Sequence, residues 1–155
     1  MADITRSTII ESIAAEIDGV EVGDSIGTSP SITSTADSLL ALGRKLKSEA
    51  SFDLLHSISG VDHPDMVEVA YHLFATQDQR SVVIKVFVSK EQAKVPTVTD
   101  IWVTADWHER ETAELYGVEF SDHHDPRRLL LAEDFPGFPL RKEWSHDNLE
   151  EYLLE

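Results

Sequence analysis

Imidazole and carboxylate side chains that could coordinate a metal ion gather in residues 106–125. This group consists of Asp106, His108, His123, His124 and Asp125. The spacing lacks the helical His-x-x-x-His pattern of zinc hydrolases, and neighbouring histidines on an extended chain point to opposite sides. A metal-dependent enzyme that uses His123, His124 and Asp125 is therefore a remote alternative, and a hydrogen-bonding or surface role is the favoured interpretation.

Three glutamates in the same stretch could form an acid–base site or could be buried structural groups. At about 100° per residue on a helix, two of them fall in a stripe that is otherwise apolar. The members of this stripe are Trp107, Glu111, Glu114, Leu115 and Val118, and the opposite side holds Glu109, Ala113 and Tyr116. A carboxylate in an apolar contact must be paired or protonated. We therefore predict that Glu111 and Glu114 are buried, paired groups rather than a general acid and base.

Arginines are the expected partners of these carboxylates. Arg110 can reach Glu114 at the i, i+4 spacing. Further along the chain, Arg127, Arg128 and Arg141 suit bidentate carboxylate pairing better than lysine would, and we predict that they clamp the C-terminal segment onto the helix. Composition alone leaves open the alternative that residues 109–111 form a solvated helix face.

Composition limits the chemistry that this chain could perform. The sequence has no cysteine, so it offers no thiol nucleophile and no cysteine ligands for an iron–sulfur cluster. It has no nucleophile elbow and no glycine-rich phosphate loop. A formal net charge of −16 opposes binding to nucleic acid and to anionic lipid. No apolar run exceeds four residues and the N-terminus does not resemble a secretory signal, so we expect no membrane span and a cytoplasmic location.

The elements that must position these residues are those of an α+β fold. Apolar residues at helical spacing predict one helix over residues 6–17 and another from about Ser34 to Glu49. Period-two alternation predicts antiparallel strands over residues 52–58, 67–73 and 82–88. A short strand over residues 98–103, and another around Ile32, would complete a sheet of about four strands in which mixed pairing stays open. The two helices are expected to precede the sheet.

A third helix and an irregular segment complete the chain. The helix is predicted from about Thr104 to Gly117. Beyond Phe120, scattered prolines and the lack of any sustained period predict an extended, irregular arm. We therefore divide the chain into an α+β domain, residues 1–120, and a C-terminal arm, residues 121–155, that packs on the domain and on partner subunits. A free-standing acidic binding module is a further alternative, against which the dependent arm argues.

The third helix and the arm resemble one known family. Residues 107–120 have the sequence Trp-His-Glu-Arg-Glu-Thr-Ala-Glu-Leu-Tyr-Gly-Val-Glu-Phe, which is similar to the Glu-Arg-Glu signature of the 30 kDa subunit of respiratory complex I. That family has a His, an Asp and an Arg-Arg-Ile-Leu run where this chain has His123, Asp125 and Arg127-Arg128-Leu129-Leu130. Its Pro-Leu-Arg-Lys-acidic ending is similar to Pro139-Leu140-Arg141-Lys142-Glu143. The likeness covers roughly the last two thirds of the chain, and it departs from the common pattern at Asp122, His124 and Pro126.

The resemblance implies a non-catalytic structural subunit in the hydrophilic arm of a membrane-bound, ion-translocating NADH:quinone-type oxidoreductase. It implies contacts with the hydrogenase-like large subunit and with a cluster-bearing subunit of the same complex, and support of the quinone-reducing module. The chain would bind no cofactor, because iron–sulfur clusters and flavin are expected in partner subunits. It would be peripheral, on the cytoplasmic side, and would meet the membrane only through the complex. The alternative is the equivalent subunit of a deazaflavin dehydrogenase or an energy-converting hydrogenase.

The same resemblance marks the residues that we expect in structural or interface roles, none of them catalytic. They are Trp107, Glu109, Arg110, Glu111, Glu114, Tyr116, Gly117, His123, Arg127, Arg128, Pro139, Leu140, Arg141 and Lys142.

Overall fold

The computed structural model describes residues 2–27 and 29–145, with side chains from residue 9 onward. The first half of the chain forms α1 (Ala2–Ala15), β1 (Val20–Ile26), β2 (Ser29–Ser34), α2 (Leu39–Glu49), β3 (Leu54–Asp62) and β4 (Met66–Ala75). The rest forms β5 (Arg80–Ser89), a 3₁₀ turn (Lys90–Gln92), β6 (Lys94–Pro96), α3 (Ala105–Tyr116) and β7 (Glu119–Ser121). Within the described part of the chain, no helix is long and apolar enough to cross a bilayer.

Five strands form one mixed sheet in the order β1-β2-β5-β4-β3, and β6 and β7 form a separate parallel pair. The predicted antiparallel meander is confirmed, because β4 pairs with both β3 and β5. β2 pairs with β5 in parallel, which makes the sheet mixed. The α+β class is therefore confirmed, with five strands in the main sheet instead of about four. The β1–β2 hairpin also separates two helices that were predicted to precede the sheet.

The core lies between one face of this sheet and the helices. Alternate residues of the two central strands are buried on that face, namely Val67, Val69, Tyr71 and Leu73 of β4 with Val82, Ile84 and Val86 of β5. Leu39, Leu42 and Leu46 of α2 are fully buried in the same cluster. Burying each leucine contributes about 1.5–3 kcal/mol relative to leaving it exposed. This cluster holds the sheet rigid beneath α3, which packs beside the edge strand β3.

Two local predictions are wrong for identifiable reasons. Residues 98–103 form turns and no strand, since the amides of Ile101 and Trp102 both donate to the carbonyl of Val98 at 2.9 Å. A short apolar run cannot distinguish a strand from a buried turn. The second helix begins at Leu39 rather than near Ser34, because Ser34 still belongs to β2 and pairs with Val86.

Helix α3 ends where the sequence predicts, at Gly117. This glycine has a left-handed φ of 68° and donates its N–H to the carbonyl of Ala113 at 2.8 Å. A Cβ atom at this position would lie 2.5 Å from the ring of Phe138 in the arm. Glycine is therefore required both by the backbone and by the close approach of the arm.

Candidate functional site: the third helix and the arm

Glu109 is fully buried and joins α3 to the loop before it. Its Oε1 accepts the N–H of Val98 at 2.7 Å, and its Oε2 accepts the hydroxyl of Thr97 at 2.6 Å. Nε2 of His123 lies further off, 3.8 Å from the same Oε2. Burial raises the pKa of this carboxyl to about 7, although both hydrogen bonds oppose the rise, and the nearby charge of Asp106 adds to it. The carboxyl group thus connects two segments through neutral donors.

The position of Glu109 corrects the predicted orientation of the helix. The buried face of α3 carries Ala105, Glu109 and Thr112, whereas Trp107 of the apolar stripe is 66% exposed. Bulky apolar residues occur on both sides of this helix, so periodicity alone could not choose the side that meets the sheet.

Glu114 holds the arm through three consecutive backbone amides. Its Oε1 accepts the N–H of Leu130 at 2.8 Å, and its Oε2 accepts those of Leu129 and Leu131 at 3.1 and 3.0 Å. The residue is 4% exposed, and hydrogen bonds to a carboxylate are stronger than those between neutral groups. The predicted burial is correct for Glu114. It is wrong for Glu111, which is half-exposed because the stripe faces away from the core.

Arg110 binds the arm rather than Glu114. Its Nε and Nη2 donate to the carbonyls of Arg127 and Arg128 at 2.9 and 3.1 Å, and its Nη1 lies 3.4 Å from Oδ2 of Asp125. Arg127 in turn donates twice to Asp125, at 2.7 and 2.8 Å. These hydrogen bonds, first among them those from Arg127, hold the pKa of Asp125 well below its usual range.

The predicted arginine–carboxylate clamp therefore has the wrong partners. Arg128 donates to the carbonyls of Ala132 and Phe135 within the arm, at 2.8 and 3.0 Å. Arg141 donates through Nε to the carbonyl of Tyr116 at 2.7 Å, where a cation also complements the C-terminal end of the helix dipole. An irregular arm and a helix end both leave carbonyls without ladder partners, and the arginines satisfy those groups instead.

The end of the arm docks on the sheet through a residue that sequence reasoning missed. Asp62, which is buried at the end of β3, accepts the N–H of Lys142 at 3.0 Å, and Nζ of Lys90 lies 2.7 Å from its Oδ1. Burial alone would raise the pKa of Asp62, but the hydrogen bonds from Lys90 and Lys142 outweigh burial and lower it. Asp62 and Lys142 are 80 residues apart in sequence, so no local pattern could have revealed their contact.

The remaining predicted residues of the arm lie beside the helix end. The N–H of Leu140 donates to the carbonyl of Leu115 at 3.1 Å, and Pro139 is half-buried. The arm thus continues the hydrogen bonding of the last helical turn.

The two histidines come together, contrary to the prediction that they point to opposite sides. The rings of His123 and His124 stack with centroids 5.0 Å apart, and their Nε2 atoms lie 3.3 and 3.6 Å from the carboxylate oxygens of Asp106. The chain is not extended here, because Asp122 has a left-handed φ of 64°. Asp125 is engaged by arginines and lies outside the cluster of Asp106, His123 and His124.

The hydrogen bonding of His123 does not suit metal ligation. Its Nδ1 accepts the N–H of Asp125 at 3.0 Å, so the ring proton belongs on Nε2, which faces Asp106. A neutral histidine that ligates through Nε2 must instead carry its proton on Nδ1 and donate it. The arrangement favours a hydrogen-bonded joint between the arm and the start of α3.

Residues 32–150 match the family described as the 30 kDa subunit of respiratory-chain NADH dehydrogenase. The chain belongs to this family, as the signature on α3 predicts. Among its relatives, the C-type subunit of NADH-quinone oxidoreductase from Moorella thermoacetica is 37% identical over 117 residues, which cover 74% of this chain and 79% of that protein. The same subunit from Chloroherpeton thalassium is 44% identical over 95 residues, and one from Rhizobium meliloti is 46% identical over 96. These two matches cover 60% of this chain, and they span only 40% and 52% of those proteins.

Two solved structures share the fold. A chain of the membrane-bound sulfane sulfur reductase, an archaeal respiratory membrane complex, superimposes with a TM-score of 0.80 at 23% identity, covering 97% of this chain and 92% of that one. A trypsin-resistant fragment of Nqo5 gives a TM-score of 0.67 at 25% identity, covering 77% and 97%. The first similarity is one of fold alone.

Proposed function

We propose that this chain is a non-catalytic structural subunit in the hydrophilic arm of a membrane-bound, ion-translocating NADH:quinone-type oxidoreductase. The observation that carries the proposal is the use made of the signature glutamates. Glu109 and Glu114 bind backbone amides and a hydroxyl of their own chain, so they hold segments together and do not face a substrate as an acid and a base. The contribution of this chain to electron transfer is then positional: it supports the quinone-reducing module.

Exposed apolar side chains around α3 support contact with other subunits. Val103 and Trp107 are 85% and 66% exposed, and Leu130 projects from the segment that Glu114 holds. Exposed aromatic and aliphatic groups of this kind are typical of interfaces. We assign the partners as the hydrogenase-like large subunit and the cluster-bearing subunit of the complex, with iron–sulfur clusters and flavin in the partners and the assembly on the cytoplasmic side of the membrane.

The second candidate is the equivalent subunit of a deazaflavin dehydrogenase or an energy-converting hydrogenase. It is favoured by Asp122, His124 and Pro126, where the chain departs from the common pattern of the complex I signature. The neighbouring genes distinguish the two candidates. A gene for a flavin subunit that oxidises NADH supports the first, and deazaflavin or nickel-hydrogenase genes support the second.

Purification of the tagged chain from membranes in mild detergent tests the shared proposal. We expect iron–sulfur subunits to co-purify, with cluster signals in the electron paramagnetic resonance spectrum. Recovery of the chain alone from cells that contain the assembled oxidoreductase would contradict the proposal.

A further inference from the structure

A groove runs between the edge strand β3 and helix α3. Its volume is about 370 Å³, and its walls include Ser59 and Gly60 on the strand with Glu111, Leu115 and Tyr116 on the helix. Leu140 of the arm, which is 49% exposed, adds an apolar surface. This volume falls in the range of sites that receive a ligand or a short segment of chain, roughly 300–1,000 Å³.

One wall of the groove is a free strand edge. Within the described residues, β3 pairs only with β4, and it is the last strand of the sheet. Near its start, the carbonyls of Phe52 and Leu55 accept hydrogen bonds from Trp102 and Thr104. Further along, no hydrogen bond from another described residue reaches the backbone of residues 57–61 on the outer side. Such an edge can bind an extended segment through backbone hydrogen bonds.

The opposite wall carries a carboxylate that pairs with none of the described residues. This is Glu111, which is half-exposed and is the sole charged side chain among the described residues that line the groove. The arginines on either side are engaged elsewhere, because Arg110 binds Asp125 and the arm, and Arg141 binds the carbonyl of Tyr116. The chain as a whole carries a net charge of −16, so the groove favours a cationic occupant.

The groove is also formed in advance. The ring of Tyr116 packs directly on Gly60, where a Cβ atom would collide with it, and this contact fixes the distance between strand and helix. A preformed wall lowers the ordering cost of binding.

We propose that this groove receives an extended segment of a partner subunit, which adds to the free edge of β3 and places a lysine or arginine against Glu111. The inference rests on the proposed function, because the partner is another subunit of the same complex. Backbone hydrogen bonds to β3 supply affinity, and the pairing with Glu111 selects the register of the segment.

Photo-crosslinking in the assembled complex tests the position of the segment. A photoreactive benzophenone amino acid replaces Ser59, which is exposed in the groove, and as a matched control it replaces Glu21, which is exposed on the opposite edge strand β1. We expect the Ser59 position to link to one continuous segment that contains a lysine or arginine, identified by mass spectrometry. The Glu21 position should not link to that segment.

Charge variants test the chemistry. Glu111→Lys should lower the fraction of chain recovered in the complex about tenfold, Glu111→Gln should lower it less, and Glu21→Lys should leave it unchanged. Equal thermal melts of the isolated variants confirm that each still folds. If Glu111→Lys assembles normally, or if Ser59 links to no basic segment, the groove inference fails while co-purification still supports the proposed function. A chain that never co-purifies with the complex overturns both.

Discussion

Replacing Glu109 with glutamine is expected to stabilise the protein above neutral pH and to leave its stability at low pH almost unchanged. Glutamine has the same shape, and its Oε1 can still accept the N–H of Val98. Its amide can donate to the hydroxyl oxygen of Thr97, whose own hydrogen can then turn to Thr99, 2.9 Å away. The substitution therefore removes the titrating charge and keeps the hydrogen bonds.

The size of the effect follows from the pKa of the buried carboxyl. Its pKa is about 7 in the folded protein and 4.5 ordinarily, so the difference is 7 − 4.5 = 2.5. At 1.36 kcal/mol per pH unit, ionisation of the folded protein costs about 3 kcal/mol. Between the two pKa values the native state holds a proton that the unfolded state has lost, so stability falls as the pH rises. The stability contribution is complete below pH 4.5 and is lost above about pH 7.

Urea unfolding measured by tryptophan fluorescence, from about pH 4.5 to 8, checks this prediction, because Trp102 is a buried reporter. The difference in unfolding free energy between Glu109→Gln and the natural protein should grow by about 3 kcal/mol across this window. Glu111→Gln is the matched control, because it removes the same charge from a half-exposed position of the same helix. Parallel curves for Glu109→Gln and the natural protein would refute the account of a buried, proton-holding carboxyl.

Two further outcomes test the joints between the arm and the domain. Glu114→Ala should destabilise the protein by about 3 kcal/mol, because three amide donors lose a buried acceptor, and hydrogen exchange at Leu129, Leu130 and Leu131 should accelerate selectively; unchanged protection of these amides would show that Glu114 does not hold the arm. Elemental analysis of the isolated chain should find no stoichiometric metal, because Nδ1 of His123 accepts a hydrogen bond, and tightly bound zinc or iron would revive the metal-enzyme alternative.

Local sequence patterns predicted the framework that supports the site. The alternation in β4 and β5 predicted the meander because each strand buries one face. Gly117 marked the end of α3 because a left-handed residue is required there. The run over residues 98–103 misled because its apolar side chains enter the core from turns. The β1 strand was missed because it is exposed along most of its length and has no apolar pattern.

The sequence by itself determined the family, through the signature on α3 and the motifs of the arm, and it marked Glu114 as a buried group. Only the tertiary structure decided that Glu109, and not Glu111, joins Glu114 in burial, because the choice between two apolar helix faces depends on where β3 lies. It also decided that Glu114 binds amides, that Arg141 binds a helix end, and that Asp62 receives the arm. These partners are distant in sequence, and backbone groups carry no signal in residue identity, so only folding could bring them together.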